Sequence, residues 1–382
     1  MSGFEWVSSQ NRLTELVAQW RGQDFIVLDT EFVRRRTYYA ELGLLQVADA
    51  EGYYLIDPLA IEDLAEVLRP LLTDERLEKV FHSGEEDLEI LGLLLGEPLR
   101  AGVDTQLAWG FISGASSVGY ARMVEAELGI AVPKDQTQSN WLQRPLSDQQ
   151  CQYAVNDVVY LYQMYGDLRQ RLLDLNRLDW VREDVDRIAR KVLDREDEAY
   201  YLNLRQAWQL SGNRLWLLQQ LAAERERRCQ SLNVNRKALV SDPDIAILAE
   251  KRPGSLAHIA DLTAISPSVL RREGPWMAEL IEQSPHVTKE DYPPPVQGPL
   301  PRVCTDDFQS LRKHLQQIAE AEQLPREYLV RKRDLELVVM ELHRGQPFVV
   351  PEAWNGWRWT LFGERFMTVL KQRSMLVQSD EV

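Results

Sequence analysis

Residues 24–32 read DFIVLDTEF, an apolar run that ends in two carboxylates one residue apart. Phe25, Ile26, Val27 and Leu28 are apolar β-formers, so the stretch predicts a buried strand. Side chains of a strand alternate between faces, which puts Asp29 and Glu31 on the same side, roughly 6.6 Å apart. Like charges held that close at the end of a buried strand are costly unless a cation or a shared proton offsets them, and a divalent metal is the natural partner. A strand running out into a polar loop leaves the same Asp-x-Glu with both acids solvated, so the reading turns on acids elsewhere.

At 382 residues the chain is expected to hold two or three domains around a sizeable core. Its 45% hydrophobic and 27% charged content is that of an ordinary globular protein, and its 11 Trp need packing sites. The opening MSGFEWVSSQNRLTE has no cationic head before an apolar segment, and no apolar run reaches the roughly 18 residues of a membrane span. A cytoplasmic protein without membrane contact is therefore expected. Cys151, Cys229 and Cys304 lie far apart without CxxC spacing, which fits a reducing compartment and argues against structural zinc.

The formal charge of −15 is at first sight wrong for a nucleic-acid partner. Its distribution changes that reading: residues 1–204 carry 20 basic and 36 acidic side chains, residues 205–290 carry 12 and 10, and residues 291–382 carry 12 and 13. The acidity is concentrated where the carboxylate pair lies. An acidic segment that gathers metal ions, followed by less acidic helpers, is compatible with a polyanionic substrate.

Downstream of the opening strand, residues 42–48 and 53–56 are apolar runs around a turn with Gly52, which predicts a meander. Arg34, Arg35 and Arg36 lie between strands, either as a solvated loop or as a phosphate-contacting edge. The spacing of Ile61, Leu64, Ala65, Leu68 and Leu71 is helical, and a short strand follows at 77–81. In HSGEEDLEILGLLLG, Ser83 looks like a helix start with acids in the first turn. Asp87 falls in that turn, within reach of Asp29 and Glu31. Another element begins at 103–109, and residues 118–128 predict an amphipathic helix closed by Gly129.

The polar, twice proline-interrupted segment AVPKDQTQSNWLQRPLSDQQ predicts a surface loop and a candidate substrate contact. Ser147 and Gln150 form a capping box that opens a long helix. On it Tyr153 and Asp157, four residues apart, share a face. An aspartate amid Val155, Val158 and Leu161 is expensive to bury without a partner.

From Asp179 the charged run VREDVDRIARKVLDREDEAYYLN predicts an exposed helix and connector. Leu215, Leu218, Leu221 and Ala222 then mark one face of a helix, with Arg225, Arg227 and Arg228 as an RNA-facing edge or a solvated face. Residues 285–301 are proline-rich and read as a linker. Residues 308–371 are helical again, with Trp354, Trp357 and Trp359 assigned to packing.

The order of acids resembles the DEDD 3′ to 5′ exonucleases of the tyrosine subclass. DTEF at 29–32 looks like the first motif, HSGEEDLEIL at 82–91 the second and YAVND at 153–157 the third. LGIAVPKDQTQSNWLQRPLSDQQCQYAVNDVVYLYQMY, residues 128–165, is similar to the bacterial ribonuclease D family. The segment from Leu204 resembles the helicase and ribonuclease D C-terminal (HRDC) domain. The resemblance implies an α/β, ribonuclease H-like exonuclease domain with a mixed sheet over residues 1–200. It also implies an HRDC domain at 201–284, the linker at 285–301 and a second HRDC-like helical domain at 302–377.

It implies two divalent ions, Mg²⁺ or Mn²⁺, one held by Asp29, Glu31 and Asp157 and the other by Asp29 with support from Asp87. Tyr153, as a phenol with an ordinary pKa near 10, is a poor base at neutral pH and is assigned to orienting the attacking water. Phe32, Gln46 and His82 are further candidates for substrate contact. The implied activity is release of nucleoside 5′-monophosphates from RNA 3′ ends, transfer RNA precursors among them, by a monomer. No GxxxxGK[ST] motif occurs, so no ATP-driven step is expected. The alternatives are a DNA exonuclease of the kind associated with RecQ helicases and a non-catalytic RNA-binding adaptor.

Overall fold

The computed structural model describes residues 3–132, 139–194, 196–373 and 375. Part of the expected substrate loop, residues 133–138, lies outside them. The chain forms two compact units, one of Met1–Phe32, Leu42–Leu193 and Leu300–Val382, the other of Val33–Glu41 and Asp194–Pro299.

The first unit is built on a mixed six-stranded sheet in the order β1-β4-β3-β2-β5-β6. Its elements run β1 Glu5–Val7, α1 Gln10–Trp20, β2 Phe25–Val33, β3 Glu41–Ala48, β4 Tyr53–Ile56, α2 Leu64–Leu72, β5 Glu78–Phe81, α3 Glu85–Leu95, β6 Gly102–Asp104, α4 Thr105–Ser113, α5 Tyr120–Leu128, α6 Asp148–Asp174 and α7 Leu178–Lys191. β3 and β4 are the antiparallel meander, while β2 and β6 flank β5 in parallel and β1 lies parallel to β4. The β1 strand and α1 had no counterpart in the sequence reading.

β2 is central because its apolar run has nowhere else to go: Ile26, Val27 and Leu28 are buried. At its start Phe25 stacks on Tyr162 and meets Tyr165 edge-on, with centroids 5.0 and 4.8 Å apart. Both tyrosines belong to α6, whose first turn carries the expected Ser147–Gln150 capping box. Moving from Phe25 toward Asp29 along the strand corresponds to moving from Tyr162 back toward Asp157 along the helix. The 27-residue helix thereby delivers its acid to the far end of β2.

Two sequence expectations fail here for physical reasons. The charged run after Asp179 is not an exposed connector, because α7 buries Leu178, Val181, Val185 and Ala189. These lie at helical spacing, so a narrow apolar stripe sufficed despite the surrounding charge. The α3 helix starts after Gly84 rather than at Ser83, which takes a positive φ of 58°.

The same unit takes in α13 Thr305–Ala321, α14 Arg326–Leu329, α15 Lys332–His343 and α16 Trp357–Gln372 once the second unit has supplied α8 Gly212–Leu232, α9 Arg236–Leu239, α10 Asp242–Lys251, α11 Leu256–Leu262 and α12 Pro267–Gln283. Their apolar faces join the core that includes the sheet. Trp357 stacks on Trp180 at 4.7 Å and 9°. Arg358 donates to Asp184 and to the Tyr328 carbonyl, Arg187 to the Ala353 carbonyl, and Arg177 to the Phe111 and Glu322 carbonyls. Gly110 on α4 leaves room for the Tyr328 phenol, whose hydroxyl and ring a Cβ there would overlap. Trp354 and Trp357 are core residues and Trp359 packs against that core.

The second unit holds α8 Gly212–Leu232, α9 Arg236–Leu239, α10 Asp242–Lys251, α11 Leu256–Leu262 and α12 Pro267–Gln283. Leu215, Leu218, Leu221 and Ala222 line its core. Arg225 is neither RNA-facing nor solvated: it is fully buried and paired with Glu226 and Asp242. Among the described residues no helix is long and apolar enough to cross a membrane.

Candidate active site

Asp29 and Glu31 project from the C-terminal half of β2 and Asp157 from the third turn of α6. One carboxylate oxygen of each lies within 4.8 Å of the other two. Alternation along the strand and the pitch of the helix bring about this meeting of three acids from two elements. Asp87, in the first turn of α3, is outside the triple and buried behind it. It accepts a hydrogen bond from the Thr30 hydroxyl, so the residue between the two strand acids holds the fourth.

Two connections fix α3 at this position. Asp104, at the end of β6, accepts from the Ser83 and Gly84 backbone at 3.1 and 2.9 Å while capping α4 through Gln106. Gly84 is required by close approach, since a Cβ there would lie 2.6 Å from that of Phe81. The sequence reading missed Thr30, Asp104 and Tyr120. Only Asp104 carried a signal, as an aspartate directly before a helical run.

The electrostatics are those of negative charge without compensation. Among the described residues none of Asp29, Glu31, Asp87 and Asp157 has an ion pair to Lys or Arg. Burial, then repulsion from Asp87, Asp157 and Glu31, holds Asp29 well above the ordinary carboxylate range. Burial and the charges of Asp157 and Asp87 push Glu31 up to about 9. Burial raises Asp157 to about 7 although Tyr153 hydrogen-bonds to it, and Asp87 to about 6 although Thr30 does the same. The Tyr153 phenol is itself raised by burial and by Asp157, so it stays protonated at neutral pH. Tyr120 donates to the Asn156 carbonyl at 2.6 Å. Four hard oxygen donors whose ionised forms repel one another fit divalent cations.

The other candidates sit as follows. His82 is largely buried, with Nδ1 3.0 Å from the Thr105 hydroxyl and its ring edge-on to Tyr120. Burial depresses its pKa, so the ring is neutral at pH 7. Gln46 is fully buried on β3, and among the described residues neither amide atom has a hydrogen-bond partner. Phe32 is partly buried at the end of β2. Trp141, from the expected substrate loop, is buried against Gly43 with its ring 6.2 Å from that of Tyr153.

Residues 4–173 match a family model described as a 3′-5′ exonuclease. Over 96% of its length the chain is 33% identical to the ribonuclease D of Pseudomonas paraeruginosa, covering 97% of that protein. The chain belongs to the ribonuclease D family. The crystal structure of Escherichia coli RNase D, described as an exoribonuclease involved in structured RNA processing, superposes with a TM-score of 0.88 at 29% identity. That match covers 97% of this chain and 99% of the other, so the family likeness extends through the C-terminal helices. The catalytic core of RRP6 from Trypanosoma brucei, at 20% identity and TM-score 0.59, shares the fold over 75% of this chain and 80% of its own. Within the ribonuclease D family, the acid triple and its hydroxyl partners are this member's candidate catalytic centre.

Proposed function

We propose that this ribonuclease D family member, a hydrolytic 3′ to 5′ exoribonuclease, cleaves the terminal phosphodiester of RNA with two divalent ions, Mg²⁺ or Mn²⁺, and releases nucleoside 5′-monophosphates. The observation that carries the reading is the meeting of Asp29, Glu31 and Asp157 within 4.8 Å, with no Lys or Arg ion-paired to any of them among the described residues. Asp29, Glu31 and Asp157 would hold one ion, and Asp29 the second with Asp87 behind it. When bound, such a pair of ions supplies the charge that activates water and offsets negative charge on the leaving 3′ oxygen.

The remaining work falls to the chain's own groups. Asp87, tied to Thr30, fixes the direction in which the strand acids are presented. Tyr153, protonated and hydrogen-bonded to Asp157, holds the attacking water in line and takes no proton from it. Trp141 confines the phenol from one side.

Transfer RNA precursors and other structured small RNAs with 3′ extensions are the proposed substrates, processed by a monomer without ATP. Digestion of a 3′-extended transfer RNA by the intact protein and by Asp29→Asn, with Mg²⁺, Mn²⁺ or chelator, tests the reading. Stepwise mononucleotide release is expected only from the intact protein with metal. Equal release from a matched single-stranded DNA tail would move the assignment to the DNA exonucleases.

A further inference from the structure

The second unit contains a short piece of chain far from the rest of it in sequence, Val33–Glu41, directly after the strand that bears Asp29 and Glu31. Two asparagines at the end of α8 hold it. Asn235 donates from its backbone N–H to the Arg36 carbonyl and from its side chain to the Arg35 carbonyl, both at 2.9 Å. Asn233 accepts from the Tyr38 and Tyr39 backbone at 3.1 and 3.2 Å. The buried Tyr38 hydroxyl donates to Glu226 at 2.8 Å, and the Arg236 guanidinium lies 5.0 Å from its ring centroid.

The backbone of Arg35 and Arg36 is thus fixed while both side chains are exposed, and neither makes an ion pair among the described residues. Lys237, two residues beyond Asn235, is likewise exposed and unpaired. Arg225, Arg227 and Arg228 of α8 differ. Arg225 is paired with Glu226 and Asp242, Arg227 with Glu198 and Glu224, and Arg228 with Glu224 and Glu273. Three cations with no ion-pair partner among the described residues, two on the segment whose backbone Asn235 holds and one two residues beyond Asn235, are on a chain of net charge −15 a local attractor for polyanions. Because the backbone is already ordered, a ligand pays only for ordering the side chains.

We propose that Arg35, Arg36 and Lys237 form a phosphate-binding strip that holds the RNA backbone on the 5′ side of the nucleotide being removed. The proposal rests on the exoribonuclease reading. Arg35 follows Glu31 by four residues, so covalent geometry keeps their Cα atoms within about 14 Å, a few nucleotides from the acid triple. Phosphate contacts carry no base identity, which suits an enzyme that must accept whichever nucleotide stands at the 3′ end.

The test uses the full chain with Arg35→Gln, Arg36→Gln and Lys237→Gln combined. In an Asp157→Asn background, anisotropy of a labelled single-stranded RNA should show binding weakened on the order of tenfold at moderate salt. The slope of log affinity against log salt should fall by about two, at roughly 0.7 per lost phosphate contact. With Asp157 intact, the ratio of kcat/KM on long RNA to kcat/KM on a trinucleotide should drop by a similar factor through KM. Arg35→Lys with Arg36→Lys should retain the salt slope. Unchanged binding and slope, or equal losses on both substrates, would overturn the strip. Absence of metal-dependent release from either RNA by the protein with its strip intact would instead overturn the exoribonuclease reading, and the binding arm would still decide the strip.

Discussion

The two ends of the β2–β5 strand pair treat buried acid in opposite ways. Where the strands begin, Glu78 lies opposite Phe25 and is buried, yet Arg169, Arg182 and the Tyr165 hydroxyl all donate to it. Burial pushes its carboxyl up, but the hydrogen bonds from Arg169 and Tyr165 outweigh this and hold it below the ordinary range. Toward the other end Asp29 and Glu31 meet Asp157 with no ion-paired Lys or Arg among the described residues, and burial and repulsion drive all three upward. The same residue chemistry serves cohesion at one end and creates a demand for an external cation at the other. The demand lies at the carboxyl end of the strands, where open α/β sheets place their ligands.

The sharpest way to break this contrast is to neutralise an acid at each end. Asp29→Asn or Asp157→Asn should cut mononucleotide release at least about 10³-fold. Metal-free stability should hold or rise, because a repulsive charge has gone; a Tm lower than that of the unaltered protein would contradict this. Glu78→Ala should do the reverse and cost about 3 kcal/mol, since it strands two arginines. The value is at the low end because those side chains are about a third exposed, at 36% and 37%. Turnover per folded molecule should hardly change, as urea unfolding and active-fraction assays can establish.

Tyr153→Phe removes the hydroxyl and leaves the acids, so kcat should fall by about 10- to 100-fold with KM little altered. A complete loss would mean that the phenol does more than orient water.

The smallest effect concerns pH, and its sign separates the two ends. The site acids have folded values above the ordinary range, so the metal-free native state holds protons that the unfolded chain releases. Their contribution is complete below ordinary carboxylate values and is lost as pH rises through about 6, 7 and 9 for Asp87, Asp157 and Glu31. Glu78, held low, contributes above its unfolded value and loses that contribution as pH falls. In chelator, Tm should therefore decline from mildly acidic to alkaline pH. Mg²⁺ should restore more of it at alkaline pH, by roughly 5 °C. A metal effect independent of pH would remove the link between the raised carboxyls and the ion.

What could be read from sequence followed from periodicity. Alternation along DTEF and the four-residue step from Tyr153 to Asp157 encode which side chains share a face, and the capping box encodes where α6 begins. What could not be read depends on partners distant in sequence. Nothing near Asp87 announces Thr30, and nothing near Arg225 shows that Asp242 would return to meet it. The α7 stripe was present as Leu178, Val181 and Val185, but the charge between these positions masked it. The close fit of Trp357 to Trp180 joins residues 177 positions apart, a relation that no local pattern carries.

The course of the chain between the units has a consequence for how such proteins can recombine. Residues 33–41 leave the sheet unit and return to it, and the C-terminal helices return once more after 299. A helical unit therefore cannot be exchanged between relatives as one continuous cassette. A graft of 194–299 alone would separate Asn233 and Asn235 from the loop they hold, so viable chimaeras must transplant residues 33–41 together with it. Inheritance in this lineage should show those two segments changing in concert.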